Sequence, residues 1–212
     1  ERARAIWQTV AKERDYYGFL ASARLGIPVS LNNKDISISN QLKLEVANAP
    51  GFKRARALYE LERFTSARRE WNYLTDTSTK EEKLAASILA ADLDWYDSTI
   101  YTLAQIKEWD YVDLRFPFAF KDVFATYSSR SHIDVAWSIA ISRRESSFAP
   151  DARSHANAHG LMQLLPSTAK YMNKSTVTRK QLYQPRTNIR LGTEYLQYLK
   201  KKNHGNEILA TA

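Results

Sequence analysis

The spacing of apolar positions divides the first 110 residues into three helical hairpins. Ala3, Ile6, Trp7 and Val10 form one apolar stripe, and Tyr16, Tyr17, Phe19, Leu20 and Ala23 form a second, closed by Gly26 and Pro28. Residues 29–50 are polar, and Asn48-Ala49-Pro50-Gly51 marks a break. A second hairpin runs from Ala55, Leu58, Tyr59 and Leu61 to Phe64, Ala67 and Trp71. A third runs from Leu84, Ala85, Ile88, Leu89 and Leu93 to Trp95, Ile100, Leu103 and Ile106. Small and aromatic residues recur at similar helix positions, as in degenerate helix-turn-helix repeats that bury their apolar sides by stacking. Residues 1–110 carry no recognisable chemical constellation and read as scaffold.

After Arg115-Phe116-Pro117 the pattern changes. It predicts an amphipathic helix over about 132–147, a loop of small and polar residues over 148–160, and a helix starting at Pro166. A break at Gln184-Pro185 precedes a last full helix over about 188–201, and residues 207–212 open another.

Composition supports a mainly α chain. Only 6 Gly and 6 Pro occur in 212 residues, too few turn formers for a β sandwich or barrel. Apolar residues make up 44% of the chain, enough for a packed core, and no apolar run approaches the ~20 residues of a membrane span. The absence of Cys excludes disulfides and thiol catalysis without fixing a compartment. Neither end carries a start or stop signal, so both read as cut from something longer.

One carboxylate is placed for chemistry. Ile133, Trp137, Ile141 and Glu145 share an i, i+4 row, so Glu145 is expected at the end of an apolar ridge and partly buried. It also lies in the last turn of its helix, where the dipole disfavours negative charge. Both effects predict a carboxyl that holds its proton to higher pH and serves as a donor. Between Ala152 and Thr193 there is no Asp or Glu, against seven Lys and Arg. A conventional glycosidase needs two carboxylates. Downstream of Glu145 only Asp151, Glu194 and Glu207 are candidates for the second. A lone carboxyl in a basic setting suits a reaction with one proton shuttle and a nucleophile supplied by the substrate.

Two motifs in order carry a family resemblance. Glu145-Ser146-Ser147-Phe148-Ala149-Pro150, Ser154 and Gly160-Leu161-Met162-Gln163-Leu164-Leu165-Pro166-Ser167-Thr168-Ala169 resemble the signature of soluble lytic transglycosylases, the lysozyme-like family that cleaves peptidoglycan. Gln184-Pro185-Arg186-Thr187-Asn188-Ile189-Arg190-Leu191-Gly192-Thr193-Glu194-Tyr195-Leu196 and Arg115-Phe116-Pro117 support the match. The resemblance implies an α-superhelical end over 1–35, a helical linker domain over 36–114 and a partial lysozyme-like catalytic domain over 115–212. It implies that Glu145 is the sole acid/base, cleaving between N-acetylmuramic acid and N-acetylglucosamine with a 1,6-anhydro product. It further implies that Ser154 and Gln163 line the site and bind sugar, that the substrate is peptidoglycan glycan strands, and that the compartment is the periplasm. Met162 is a groove-wall or a packing residue, and Tyr195 a site or a core tyrosine. For Ser154 the plain alternative is a turn residue, and for Gln163 a helix-surface amide. Asn157 stands where the family commonly has Gly, which requires Asn to take the left-handed backbone. Arg144 stands where Gln or an apolar residue is frequent. The family's Tyr-Asn-Ala-Gly motif is expected just after Ala212, and without it Leu191, Tyr195, Leu196 and Leu199 are expected to leave an exposed apolar patch.

No cofactor or metal is implied. His155 and His159 are spaced i, i+4, but in a loop and without a third ligand. The net charge of +8 and the 12% aromatic content are also compatible with single-stranded nucleic acid binding, yet no recognised nucleic-acid motif occurs, and a basic balance equally suits the anionic peptides of murein. A third alternative is a helical scaffold for cell-wall synthesis proteins.

Overall fold

Capping side chains and turn residues cut the chain into short helices. The computed structural model describes residues 2–211, among which there are fourteen helices, no strand and two isolated antiparallel bridges. The first hairpin is α1 (Arg2–Val10) and α2 (Tyr16–Leu25). The Asp15 carboxylate caps α2 by accepting from Gly18 N, and Gly26 ends it in the left-handed conformation. Ile6, Tyr16 and Tyr17 stay exposed, so the apolar stripes read from the sequence are only partly covered. Arg14 ties this hairpin to the rest, donating to Leu31 O, Trp109 O and Asp110, each at 2.8 Å.

The polar stretch 29–50 contains a helix the apolar spacing does not predict, α3 (Asn40–Asn48). Ser39 caps it, and its inward signal is carried by Leu42 and Val46 alone. The second and third hairpins are α4 (Pro50–Glu60) with α5 (Phe64–Asp76), and α6 (Lys80–Ala91) with α7 (Tyr96–Gln105). Trp71 and Trp95 meet at 5.0 Å in their shared core, and Tyr59 stacks on Trp95 at 4.5 Å. Ala55, Ala67, Ala85 and Ala90, all fully buried, let the helices approach closely enough for these rings.

The second half holds α8 (Val112–Arg115), α9 (Lys121–Arg130), α10 (Val135–Ser146), α11 (Pro166–Asn173), α12 (Arg179–Leu182), α13 (Pro185–Lys202) and α14 (Glu207–Thr211). Helix α13 is the hub, packing against α9, α11, α12 and α14. The exposed patch expected on α13 is absent. Leu191 is buried among Leu164, Ala169, Val177 and Leu182, and Leu196 among Phe124, Ile133, Leu161 and Met162, while Tyr195 and Leu199 are half-buried. Most of these covering residues come from short pieces around 161–164 and 177–182, which carry no apolar helical period of their own. Ile100 of α7 also enters this core, so it extends across the junction near residue 115.

Candidate active site

Helix α10 starts at Asp134, whose carboxylate accepts from Ala136 N and Trp137 N, and ends at Ser147 in the left-handed conformation. Its most deeply buried row is not Ile133, Trp137 and Ile141. It is Ser138, Ser142 and Ser146, one position further on. The hydroxyls of Ser142 and Ser146 both donate to Leu161 O, at 3.1 and 2.8 Å, and Ser138 meets Ser128 at 2.8 Å. Small hydrogen-bonded residues thus carry the close contact, and the apolar row is rotated toward the surface. Glu145 follows that row outward and is exposed, which corrects the partial burial expected from the sequence. Among the described residues it makes no ion pair or side-chain hydrogen bond.

The three carboxylates downstream of Glu145 are all engaged. Asp151 takes both Nη groups of Arg68, Glu194 pairs with Arg190 at 3.2 Å, and Glu207 pairs with Lys200 at 2.7 Å.

The chain after Glu145 is unusual in its backbone. Ser147 and Phe148 are consecutive left-handed residues, at φ 51° and 66°, which for non-glycine residues costs about 1–3 kcal/mol each unless the surroundings impose it. Phe148 is buried and its N–H donates to Ser146 Oγ at 3.1 Å. Residues 152–164 then form a small bridged unit, with bridges between Arg153 and His159 and between His159 and Leu164. Ser154 lies inside it. Its N–H donates to Ala158 O and its Oγ accepts from Ala158 N, both at 3.0 Å, so it is a turn-forming residue with its own O–H left to donate. Asn157 adopts φ 63°, the left-handed backbone expected of it.

Gln163 is not a helix-surface amide. It sits at φ 47° in the turn, and its Nε2 donates to Gly160 O at 2.9 Å and Ala152 O at 3.3 Å. Met162 is 6% exposed and packs on Gly192, where an added Cβ would come within 2.3 Å of its sulfur. Tyr195, three residues further along α13, stacks on Tyr198 at 6.1 Å and contacts the Leu164 cluster. Leu161 O joins the last turn of α10, which carries Glu145, to the 152–164 unit, which carries Ser154, Met162 and Gln163. Tyr195 adjoins it through α13.

Sequence reasoning left Asn188 without a role. Fully buried in the first turn of α13, it accepts from Met162 N at 2.7 Å and donates to His159 O at 2.9 Å and Leu182 O at 2.8 Å. A Cβ at Gly160 (φ 75°) would lie 2.3 Å from both Asn188 Nδ2 and Leu182 O, so the bridged unit closes on this amide only with glycine there. An asparagine within a motif, next to apolar residues on a helix face, was the available signal.

His155 is exposed and His159 buried against the Tyr183 hydroxyl at 3.2 Å, so the two do not face one site. Burial, with Arg179 and Arg153 nearby, holds the His159 imidazole below its ordinary 6.5. For a base so depressed the unfolded chain takes up a proton that the folded chain refuses. Stability is therefore complete above about pH 6.5 and falls as pH drops toward the folded value. Urea unfolding across pH 7 to 5.5 should show this loss, and His159→Gln should remove it. Glu108 is held below 4.5 by hydrogen bonding to Lys80, with Lys34 adding to it, so its own contribution is lost only at lower pH. An unchanged slope in His159→Gln would assign the effect to another group.

Comparisons with known proteins bear on the family and the fold. Residues 45–112 match the family described as soluble lytic murein transglycosylase L domain, and residues 122–212 match the transglycosylase SLT domain. The soluble lytic murein transglycosylase of Escherichia coli K12 is 31% identical over 99% of this chain and 33% of its own length. A putative soluble lytic murein transglycosylase of Haemophilus influenzae is 34% identical over 96% of the chain and 35% of its own. The chain thus spans about a third of these relatives. Among solved structures, an inactive Glu-to-Gln mutant of the lytic transglycosylase Slt from Pseudomonas aeruginosa superposes with a TM-score of 0.90 at 36% identity, covering 99% of this chain and 35% of that one. The 70 kDa soluble lytic transglycosylase of E. coli gives 0.89 at 30% identity, covering 99% and 34%. No helix among the described residues is long and apolar enough to cross a membrane. With its L domain and SLT domain in order and the fold of solved lytic transglycosylases along its length, this chain belongs to the soluble lytic murein transglycosylase family.

Proposed function

We propose that the chain forms the catalytic portion of a peptidoglycan lytic transglycosylase acting in the periplasm. In this reading 1–35 is the end of a superhelical domain, 36–114 a linker domain and 115–212 the lysozyme-like catalytic domain. Glu145 is the single acid/base. As the acid it protonates the oxygen between N-acetylmuramic acid and N-acetylglucosamine while the C1–O bond breaks, and the substrate's 2-acetamido group meets the positive charge at C1. As the carboxylate it then takes the proton from the muramoyl 6-hydroxyl, whose oxygen bonds to C1. The proton returns to Glu145, no water is consumed, and the product is a 1,6-anhydro sugar.

The observation that carries this reading is the state of the carboxylates. Of the carboxylates in residues 145–211, only Glu145 has no ion pair among the described residues, while Asp151, Glu194 and Glu207 are each held by a cation. Within residues 146–211, neither the two-acid inverting nor the two-acid retaining scheme finds a free second carboxylate. Ser154 has a hydroxyl proton to donate to sugar, and Gln163 has its Oε1 free for an acetamido N–H, its Nε2 being spent on the turn. Met162 and Tyr195 form the wall beside them. The test is digestion of murein sacculi in H₂¹⁸O with product mass spectrometry. Anhydromuropeptides without label are expected. Labelled reducing-end muramic acid as the main product would mean hydrolysis and end the single-acid scheme.

A further inference from the structure

The loop that follows Glu145 is gripped from outside the catalytic half, at two points. Arg68 on α5 donates through Nη1 to Asp151 at 2.9 Å and through Nη2 to its other oxygen, while Nε donates to Asp97 on α7 at 2.7 Å. Asp97 is 4% exposed, and Arg68 and Asp151 are mostly buried. One residue before Asp97, Tyr96 sets its ring edge-on to Phe148 at 5.8 Å. Both ends of the 148–151 loop thus rest on α7, one through an aromatic contact and one through an arginine.

We infer that Arg68, oriented by Asp97, is a positioning residue for the reaction of Glu145. It fixes the 147–152 loop, and with it the direction in which the last turn of α10 presents the carboxylate. This rests on the reading of Glu145 as acid/base proposed above.

Three features support the assignment. The first is the left-handed pair Ser147 and Phe148, which persists only where contacts outside the loop impose it; Tyr96 and Arg68 are such contacts. The second is the hydrogen bonding of the next residue. Ala152 O accepts from Gly160 N at 2.8 Å and from Gln163 Nε2 at 3.3 Å, so the peptide that Asp151 anchors also orients Gln163. The third is the chemistry of the clamp. A guanidinium can hold one carboxylate bidentately and a second through Nε, whereas a lysine has no such planar fork. Buried ion pairs return little net stability after desolvation, and what this one fixes is geometry. Burial pushes the Asp97 carboxyl upward, and Arg68 beside it opposes that push.

The decisive variant is Asp151→Asn, which frees the loop and leaves the Arg68–Asp97 pair intact. In the intact protein kcat on glycan strands should fall about 10²-fold, the loss that a misplacement near 1 Å produces, with KM little changed. Amide exchange across 147–152 should accelerate, with thermal stability nearly unchanged. Arg68→Lys should show the same kcat loss, because charge without the fork does not rescue. If Arg68→Met misfolds because Asp97 is left buried and unpaired, Arg68→Met/Asp97→Asn removes that penalty and carries the same expectation. A kcat for Asp151→Asn within twofold of the unsubstituted protein overturns the inference, as does a kcat loss without faster exchange in 147–152. If the unsubstituted protein yields no anhydro product, the acid/base reading fails separately. The exchange measurement then still decides the clamp, since unchanged protection in 147–152 overturns it.

Discussion

Glu145→Gln should stop release of anhydromuropeptides from sacculi while leaving the fold untouched. The amide keeps the shape of the side chain and can still donate a hydrogen bond, but it cannot transfer a proton. General acid–base catalysis contributes about 10²–10⁴-fold, and with Asp151, Glu194 and Glu207 each held by a cation, the loss should lie at or beyond the upper end. The structural cost is small for a reason the structure supplies. Glu145 is exposed, with no side-chain partner among the described residues, and surface substitutions of that kind stay within about 0.5 kcal/mol. Removing a negative charge from the last turn of α10 also relieves an unfavourable dipole interaction, so a slight rise in melting temperature is the expected sign. Product mass spectrometry and thermal unfolding on the same preparation check both halves. Residual turnover above about a hundredth of the original rate would show that another group donates the proton.

Where the apolar rhythm is strong, the fold was legible. Each hairpin read from residues 1–110 is present, and α10, α11 and α13 lie within a few residues of their predicted spans. Helices α3, α8, α9 and α12 are not announced by apolar spacing. For α12 the signal was of another kind, the reciprocal capping box of Thr178 and Gln181. The site motifs were legible as residues but not as an arrangement. A hydrophobicity pattern cannot rank Ser142 and Ser146 above Ile141 for burial, because they are buried through a carbonyl 15 to 19 residues away. That is why Glu145 was expected on a ridge and is found on the surface. The pairing of Arg68 with Asp151 spans 83 residues between two surface-type charges, and nothing local announces it.

The same reasoning identifies Asn188 as the residue on which the wall of the site depends. Its side chain satisfies Met162 N, His159 O and Leu182 O at once, from the interior and with no room for water at Gly160. Asn188→Leu keeps nearly the same volume and strips all three partners. Each orphaned buried backbone group costs about 1–3 kcal/mol. Three of them amount to a large share of the ~5–15 kcal/mol that holds a domain together. The expected result is a fall of several kcal/mol in urea unfolding, with residues 159–164 and 177–182 exchanging first, since the Asn188 amide is the hydrogen-bonded link between those two pieces. Asn188→Asp should lie between, because it still accepts from Met162 N but repels the two carbonyls it can no longer donate to. The helical half should keep its protection in both variants, its Trp71–Trp95 core making no contact with α13. A loss below about 1 kcal/mol in Asn188→Leu would mean that the unit re-forms its hydrogen bonds without the amide. In that case the wall carrying Met162 and Gln163 would be set by packing of Leu161 and Leu164 alone.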